Sequence, residues 1–138
     1  MPVHDTYHDT VKRALIKDGW TITDDPLKIR WGRRNFYVDL GAKKLLAAQK
    51  GEHKIAVEIK SFASKSEIFD LEQAVGQFAV YYDLLQETDP DRQLYVAVDN
   101  ATYSTIFEEP IGQLMLQKQR LCLLVFDSTT EDILQWIP

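Results

Sequence analysis

Three charged side chains stand in segments that are otherwise apolar. Asp39 is the single acid in Tyr-Val-Asp-Leu-Gly, and Glu58 and Lys60 alternate with apolar residues in Ala-Val-Glu-Ile-Lys-Ser-Phe. On a strand, residues i and i+2 share a face, so Glu58 and Lys60 project together while their apolar neighbours supply the core on the other face. A carboxylate and an ammonium group are costly there unless they pair, bind a metal or line a cleft. The spacing therefore predicts either a chemical site or a structural ion pair.

These residues meet if their two segments form a hairpin that turns near Gly51. The start of the first strand then lies beside the end of the second, which brings Asp39 close to Glu58 and Lys60, with Gly41 able to absorb a register adjustment. Two converging carboxylates form the oxygen half-shell that Mg²⁺ or Mn²⁺ prefers. Such an ion can activate a water nucleophile towards a phosphate, and Lys60 could hold or orient that water. The alternative is a cross-strand ion pair between Asp39 and Lys60, with Glu58 in solvent.

The hydrophobic pattern predicts the elements that must position these residues. We expect helices over 5–18, 66–86, 102–108 and 111–119, and strands over 20–23, 27–31, 36–40, 55–62, 93–98, 121–126 and 133–137. The stretch 42–49 is compatible with a strand or a short helix. Ser66 is a suitable N-cap for the longest helix. Its buried stripe is expected to comprise Ile68, Leu71, Val75, Phe78, Tyr82 and Leu85. The order predicts an α/β fold with a central mixed sheet flanked by helices, in a single domain over 1–138.

Charge is divided unevenly along the chain. The net charge is −5, but residues 1–66 hold 13 Lys and Arg against 8 Asp and Glu, whereas residues 67–138 hold 3 against 13. In the basic half, Lys28, Arg30, Arg33 and Arg34 surround Trp31, a combination that binds phosphates and stacks on bases. Such charges also occur on edge strands simply to prevent pairing between sheets. The acidic half either repels a DNA duplex or binds a partner protein or a second subunit.

Composition excludes several classes of protein. No apolar run reaches the roughly 18 residues that a transmembrane helix needs, and the first residues lack the layout of a secretory signal. The single cysteine, Cys122, cannot form an internal disulfide. These features predict a cytoplasmic protein without membrane contact.

Asp39 followed by Glu58-x-Lys60 resembles the Asp…(Asp/Glu)-x-Lys signature of the restriction-endonuclease-like PD-(D/E)XK superfamily, although Val38 stands where that signature has proline. The whole chain resembles, more closely, the XisH family, the fdxN-element excision controlling factors of cyanobacteria. The segments that carry this resemblance are 8–12, 18–26, 37–42, 55–62, 71–78, 107–110 and 136–138.

The resemblance implies a restriction-endonuclease-like fold and a role in excising a DNA element during heterocyst differentiation. It also implies DNA, a small companion of the XisI type and a site-specific recombinase as direct or indirect partners. A metal-dependent endonuclease using Mg²⁺ or Mn²⁺ at Asp39 and Glu58 is one interpretation; a non-cleaving DNA-binding accessory factor that works through its partner is the other. Members of the PD-(D/E)XK superfamily often place an acid of the first helix at the metal, here Asp5 or Asp9. They often bring a glutamine of the later helix close to it, here Gln73 or Gln77.

Overall fold

The computed structural model describes residues 6–45 and 52–138. The helices are α1 His8–Lys17, α2 Glu67–Thr88, α3 Asn100–Thr102, which continues into a π-helical turn Tyr103–Phe107, and α4 Pro110–Gln117. The strands are β1 Thr21–Asp24, β2 Leu27–Trp31, β3 Arg34–Val38, β4 Leu40–Leu45, β5 Glu52–Ile59, β6 Arg92–Asp99, β7 Leu123–Asp127 and β8 Asp132–Ile137. The sequence-based elements are therefore largely confirmed, with Leu40–Leu45 resolved as a strand. No helix of the described residues is long and apolar enough to cross a membrane.

Six strands form the central sheet in the order β1-β4-β5-β6-β7-β8. The strands β5, β6 and β7 are parallel, and the flanking pairs are antiparallel. Apolar side chains cover both faces, because successive residues of a strand point to opposite sides. On one face, Ile55, Val57 and Ile59 of β5 pack with α1; on the other, Ala56 packs with α2. The predicted mixed sheet flanked by helices is confirmed.

A separate two-stranded hairpin, β2–β3, packs against α2. Its turn contains Gly32, whose φ of 60° at the first central position suits a two-residue hairpin turn. Ile29 and Val38 are buried against the core beside α2. The expectation of one continuous strand over 36–40 is wrong. The chain leaves the hairpin after Val38, bends at Asp39 and enters the central sheet at Leu40, because Val38 and Leu40 pack in different core clusters.

The helix α2 begins as predicted, with the Ser66 hydroxyl oxygen accepting a hydrogen bond from the Phe69 N–H at 3.1 Å. Its buried face is rotated relative to the expected stripe. Ala74 is buried, whereas Ile68 and Tyr82 are 48% and 45% exposed. The face that packs on the sheet therefore includes the small Ala74, since a helix can bury only one continuous side against a flat layer.

Candidate active site

Asp39 and Glu58 are brought together by the pairing of β4 with β5. Leu40 pairs with Val57, and one step further along the same antiparallel register Asp39 lies opposite Glu58. Each carboxylate accepts a hydrogen bond from the backbone of the other strand: the Asp39 N–H donates to Glu58 Oε1 at 3.2 Å, and the Ile59 N–H donates to Asp39 Oδ2 at 2.8 Å. These reciprocal bonds fix both carboxylates against the sheet.

The predicted hairpin between these strands is confirmed, although residues 50 and 51, where its turn was expected, lie outside the described residues. Gly41 pairs regularly with Ala56, so no register adjustment occurs there between β4 and β5. The irregularity lies instead in the pairing of β1 with β4, between Ile22 and Asp24.

Lys60 completes the group. Its Nζ lies 3.5 Å from Glu58 Oε2, and its backbone N–H donates to the Ala97 carbonyl at 3.0 Å, which holds the end of the strand against β6. The alternative of an Asp39–Lys60 ion pair with Glu58 in solvent is wrong. Glu58 is only 8% exposed, and the ion pair that the structure gives to Lys60 is with Glu58. Glu58 is buried because it alternates along β5 with apolar residues that pack in the core.

Burial and, after it, the negative charge of Asp39 raise the pKa of Glu58 to about 8, against the opposing effect of the Lys60 ammonium group. Tyr81 of α2 lies within reach of the same charges. Burial, together with the smaller effects of the Glu58 and Asp39 charges, raises the pKa of the Tyr81 hydroxyl to about 12. When both carboxylates are ionised, they carry more negative charge than Lys60 neutralises.

This group suits a hard divalent cation. Carboxylate oxygens are the ligands that Mg²⁺ and Mn²⁺ prefer, and Mg²⁺ commonly binds through one or two carboxylates while keeping several waters. Within residues 6–45 and 52–138 no cluster of three or more His, Cys, Asp or Glu side chains could hold a metal, so the described protein offers two carboxylates, Asp39 and Glu58. A cation between them would relieve the repulsion that raises the Glu58 pKa.

Asp9, one of the two acids expected from the first helix, is not brought to this pair. Asp9 is an exposed residue of α1, whose buried side packs on Ile55, Val57 and Ile59, the face of the sheet opposite to Glu58. Asp5 lies outside the described residues. The first helix is amphipathic in the manner expected, but its packing places it on the other side of β5.

The glutamines of α2 lie on the side of the carboxylates. The Oε1 atom of Gln77 is buried, and among the described residues it has no hydrogen-bond partner. An unsatisfied buried amide oxygen is costly unless a ligand or water donates to it. Gln73 is exposed and lines a hollow of about 320 Å³ together with Lys60. Tyr81 was missed by sequence reasoning, although it follows Gln77 by four residues, the spacing that places both on one side of a helix.

The four basic residues of the β2–β3 hairpin, Lys28, Arg30, Arg33 and Arg34, are all exposed. Lys28 and Arg30 share the outer face of the hairpin with Tyr37, while Arg34 pairs with Trp31 near the turn. In the part of the chain that the structure describes, none of the four forms an ion pair or another specific contact.

Elsewhere in the basic half, most cations are neutralised. Ion pairs engage Lys12, Arg13, Lys17, Lys43, Lys44, Lys54 and Lys60. The uncompensated positive charge of residues 6–45 is therefore concentrated on the hairpin, whose second strand leads directly into Asp39.

The chain matches the sequence profile of the family described as XisH protein over residues 1–134. It belongs to the XisH family. Two solved structures of XisH-type proteins are similar to it over nearly its whole length. One is an XisH family protein from Nostoc punctiforme PCC 73102, 40% identical, covering 97% of this chain and 100% of its own, with a TM-score of 0.87. The other is an fdxN element excision controlling factor protein from Anabaena variabilis, 40% identical, covering 98% and 100%, with a TM-score of 0.86. No curated protein matches this XisH chain.

Proposed function

We propose that this XisH protein is a metal-dependent phosphodiester hydrolase of the restriction-endonuclease-like PD-(D/E)XK type, acting on DNA. The observation that carries the proposal is the Asp39–Glu58 pair, held by reciprocal backbone hydrogen bonds beside Lys60. A purely structural role would not need two carboxylates facing each other, because their repulsion destabilises the fold. Perturbed groups of this kind cluster at functional sites.

In this proposal Asp39 and Glu58 hold Mg²⁺ or Mn²⁺. The bound ion supplies Lewis acidity, which favours ionisation of a water nucleophile and offsets charge on the phosphate. The water oxygen forms a bond to phosphorus, the bond from phosphorus to the leaving oxygen breaks, and that oxygen takes up a proton. Lys60 donates a hydrogen bond to the attacking water or to a phosphate oxygen and stabilises the negative charge that develops there. Gln77, with its unsatisfied oxygen, helps to position the water.

The hairpin provides the DNA contact. Lys28, Arg30, Arg33 and Arg34 are exposed and unpaired within the described residues, so binding a phosphate breaks no existing ion pair. Contacts of this kind supply affinity and register rather than sequence readout. The acidic second half confines the approach of DNA to the hairpin side.

The relative from Anabaena variabilis is described as an fdxN element excision controlling factor. We propose that the present chain acts in the same kind of process, beside a site-specific recombinase and a small companion of the XisI type. The alternative is a non-cleaving DNA-binding factor. The unpaired cations of the described residues 6–45 lie on the hairpin, apart from the carboxylates, and phosphate contact does not need the carboxylates. This separation favours the non-cleaving factor.

The test is cleavage of labelled DNA in Mg²⁺ or Mn²⁺, by the protein alone and with its companion. We expect activity that is lost in Asp39→Asn and Lys60→Ala but retained in two control variants, Asp91→Asn and Lys65→Ala, which remove exposed charges. Manganese affinity should fall in Asp39→Asn and remain in Asp91→Asn. DNA binding without cleavage under any condition, with unchanged Mn²⁺ affinity in Asp39→Asn, would refute the hydrolase and leave the accessory factor.

A further inference from the structure

An open groove of about 600 Å³ lies between α2 and the β2–β3 hairpin. Phe36 of the hairpin forms one wall, and the rest of the lining comes from α2: Phe69, Glu72, Gln73, Gly76, Gln77, Val80 and Tyr81. Phe69 and Val80 are 53% and 47% exposed, so the lining presents apolar surface to solvent. Large apolar side chains that are exposed next to one another in this way are typical of a binding surface.

Gly76 keeps the groove open. It lies between Phe69 and Val80 in one row of the helix, and a Cβ added there would meet nothing within 4 Å. Glycine destabilises a helix interior, and no close packing requires it at this position. By contrast, a Cβ at Gly112 would overlap the Ile106 carbonyl, so that glycine is explained by packing.

The groove lies next to the hollow that contains Lys60 of the candidate active site. Tyr81 and Gln77 line the groove, and Tyr81 is close enough to be affected by the charges of Glu58 and Asp39. The smaller hollow that contains Lys60 shares Phe69 and Gln73 with the groove. A flexible strand that passes the carboxylates can therefore reach apolar, partly aromatic surface within the same region.

We propose that this groove receives unpaired bases of the strand whose phosphate lies at Asp39 and Glu58, so that the substrate is single-stranded or locally unpaired DNA. This inference rests on the proposed function, whose substrate it narrows. Bases stack on aromatic side chains irrespective of sequence. In a duplex the base faces are covered by stacking and cannot enter the groove unless a base is flipped out, which costs energy.

The hairpin cation beside the groove favours a nucleic acid over an apolar protein segment as the occupant, and the one charged residue of the lining itself is the acidic Glu72. Phe36 shares its face of the hairpin with Trp31 and Arg34, because opposite residues of an antiparallel pair lie on the same side. The exposed Trp31 and Arg34 therefore continue along the hairpin from the groove wall. A strand with its bases against α2 would have Arg34 available for a phosphate.

Fluorescence anisotropy with a labelled single-stranded oligonucleotide and the matching blunt duplex tests this inference. Binding is measured with Ca²⁺ in place of Mg²⁺, and gels confirm that the DNA stays intact. We expect the single strand to bind at least about tenfold more tightly than the duplex. Gly76→Leu should remove most of this preference by filling the groove, whereas the control Gly76→Ala, which adds one methyl group, should retain it. Both variants should fold, because the position has room.

Equal binding of single strand and duplex, or an unchanged preference in Gly76→Leu, would overturn the inference. Equal losses for both DNA forms would also overturn it, since the groove would then contact the backbone rather than bases. If a protein segment but no DNA competes for the groove, the occupant is a protein and the inference fails. Cleavage in Mg²⁺ is measured separately. A preference for single-stranded DNA without cleavage overturns the proposed hydrolase activity but not the role of the groove. Rapid cleavage of duplex DNA with no such preference overturns the role of the groove but not the hydrolase activity.

Discussion

Replacing Glu58 by glutamine should stabilise the protein when no divalent cation is present. Glu58 is 8% exposed, and burial together with the charge of Asp39 raises its pKa from 4.5 to about 8. Between these two values the folded state binds a proton that the unfolded state releases, so the free energy of unfolding falls as the pH rises. Glutamine keeps the shape and an oxygen that can accept the hydrogen bond from the Asp39 N–H, but it carries no charge.

The size of the effect follows from the pKa. From the ordinary value of 4.5 to pH 7 is about 2.5 pH units, and each unit corresponds to about 1.4 kcal/mol. The expected gain for Glu58→Gln at pH 7 is therefore about 3 kcal/mol as an upper limit, in which the attraction to Lys60 is already included. Below pH 4.5 the two proteins should be equally stable, because the glutamate is then protonated in both the folded and unfolded states.

The assay is denaturant unfolding in EDTA across pH 4.5 to 8, repeated with Mn²⁺. The wild-type protein should lose stability with rising pH relative to Glu58→Gln and regain it on adding Mn²⁺; the variant should show neither effect. Glu52→Gln, which removes an exposed carboxylate from the same strand, is the matched control and should follow the wild type. A Glu58→Gln variant that is less stable than the wild type at pH 7, or that follows the same pH dependence, would refute the reasoning.

Other substitutions test separate parts of the structure. Replacing Arg30 and Arg33 by alanine should weaken DNA binding, measured by fluorescence anisotropy at several salt concentrations. The slope of the logarithm of the binding constant against the logarithm of the salt concentration should become shallower by about one for each lost phosphate contact. An unchanged slope would show that the hairpin does not contact DNA. Desolvation acts to raise the pKa of Asp25, but hydrogen bonds from its two partners on α1 outweigh it and lower the pKa below 3.8. Asp25→Asn should therefore destabilise the protein at pH 7. This difference in stability should vanish as the pH falls through the pKa of Asp25 in the folded protein. A difference that persisted at the lowest pH would mean that packing, not charge, is responsible. In thermal unfolding, Gly76→Ala should raise the free energy of unfolding by about 1 kcal/mol. Gly112→Ala should lower it by more than about 2 kcal/mol, because the added Cβ would overlap the backbone of the preceding turn. Equal effects of the two substitutions would refute the packing argument.

Much of the fold was accessible to local reasoning. The alternation of apolar residues predicted β5 and the side-by-side placement of Glu58 and Lys60, because strand periodicity depends only on neighbouring residues. The start of α2 was equally local, since a serine at the N-cap satisfies the N–H groups of the first turn. The buried face of α2 was harder to predict, because which side of the helix meets the sheet is set by its partners and not by its own periodicity alone.

The sequence by itself determined which residue types could form the site, and the tertiary structure decided which of them meet. Asp39 reaches Glu58 only because the chain changes sheets at that residue and β4 then pairs with β5, a register set by the cores on both faces of the sheet. The packing of α1 on the opposite face separates Asp9 from the pair, and the packing of α2 adds Tyr81 to its surroundings. Whether a cation is free also depends on distant segments, as when Arg13 and Lys17 of α1 pair with Glu131, just before β8, and Asp132, its first residue. These contacts join residues far apart in sequence, so their physical basis is the folded arrangement rather than any local pattern.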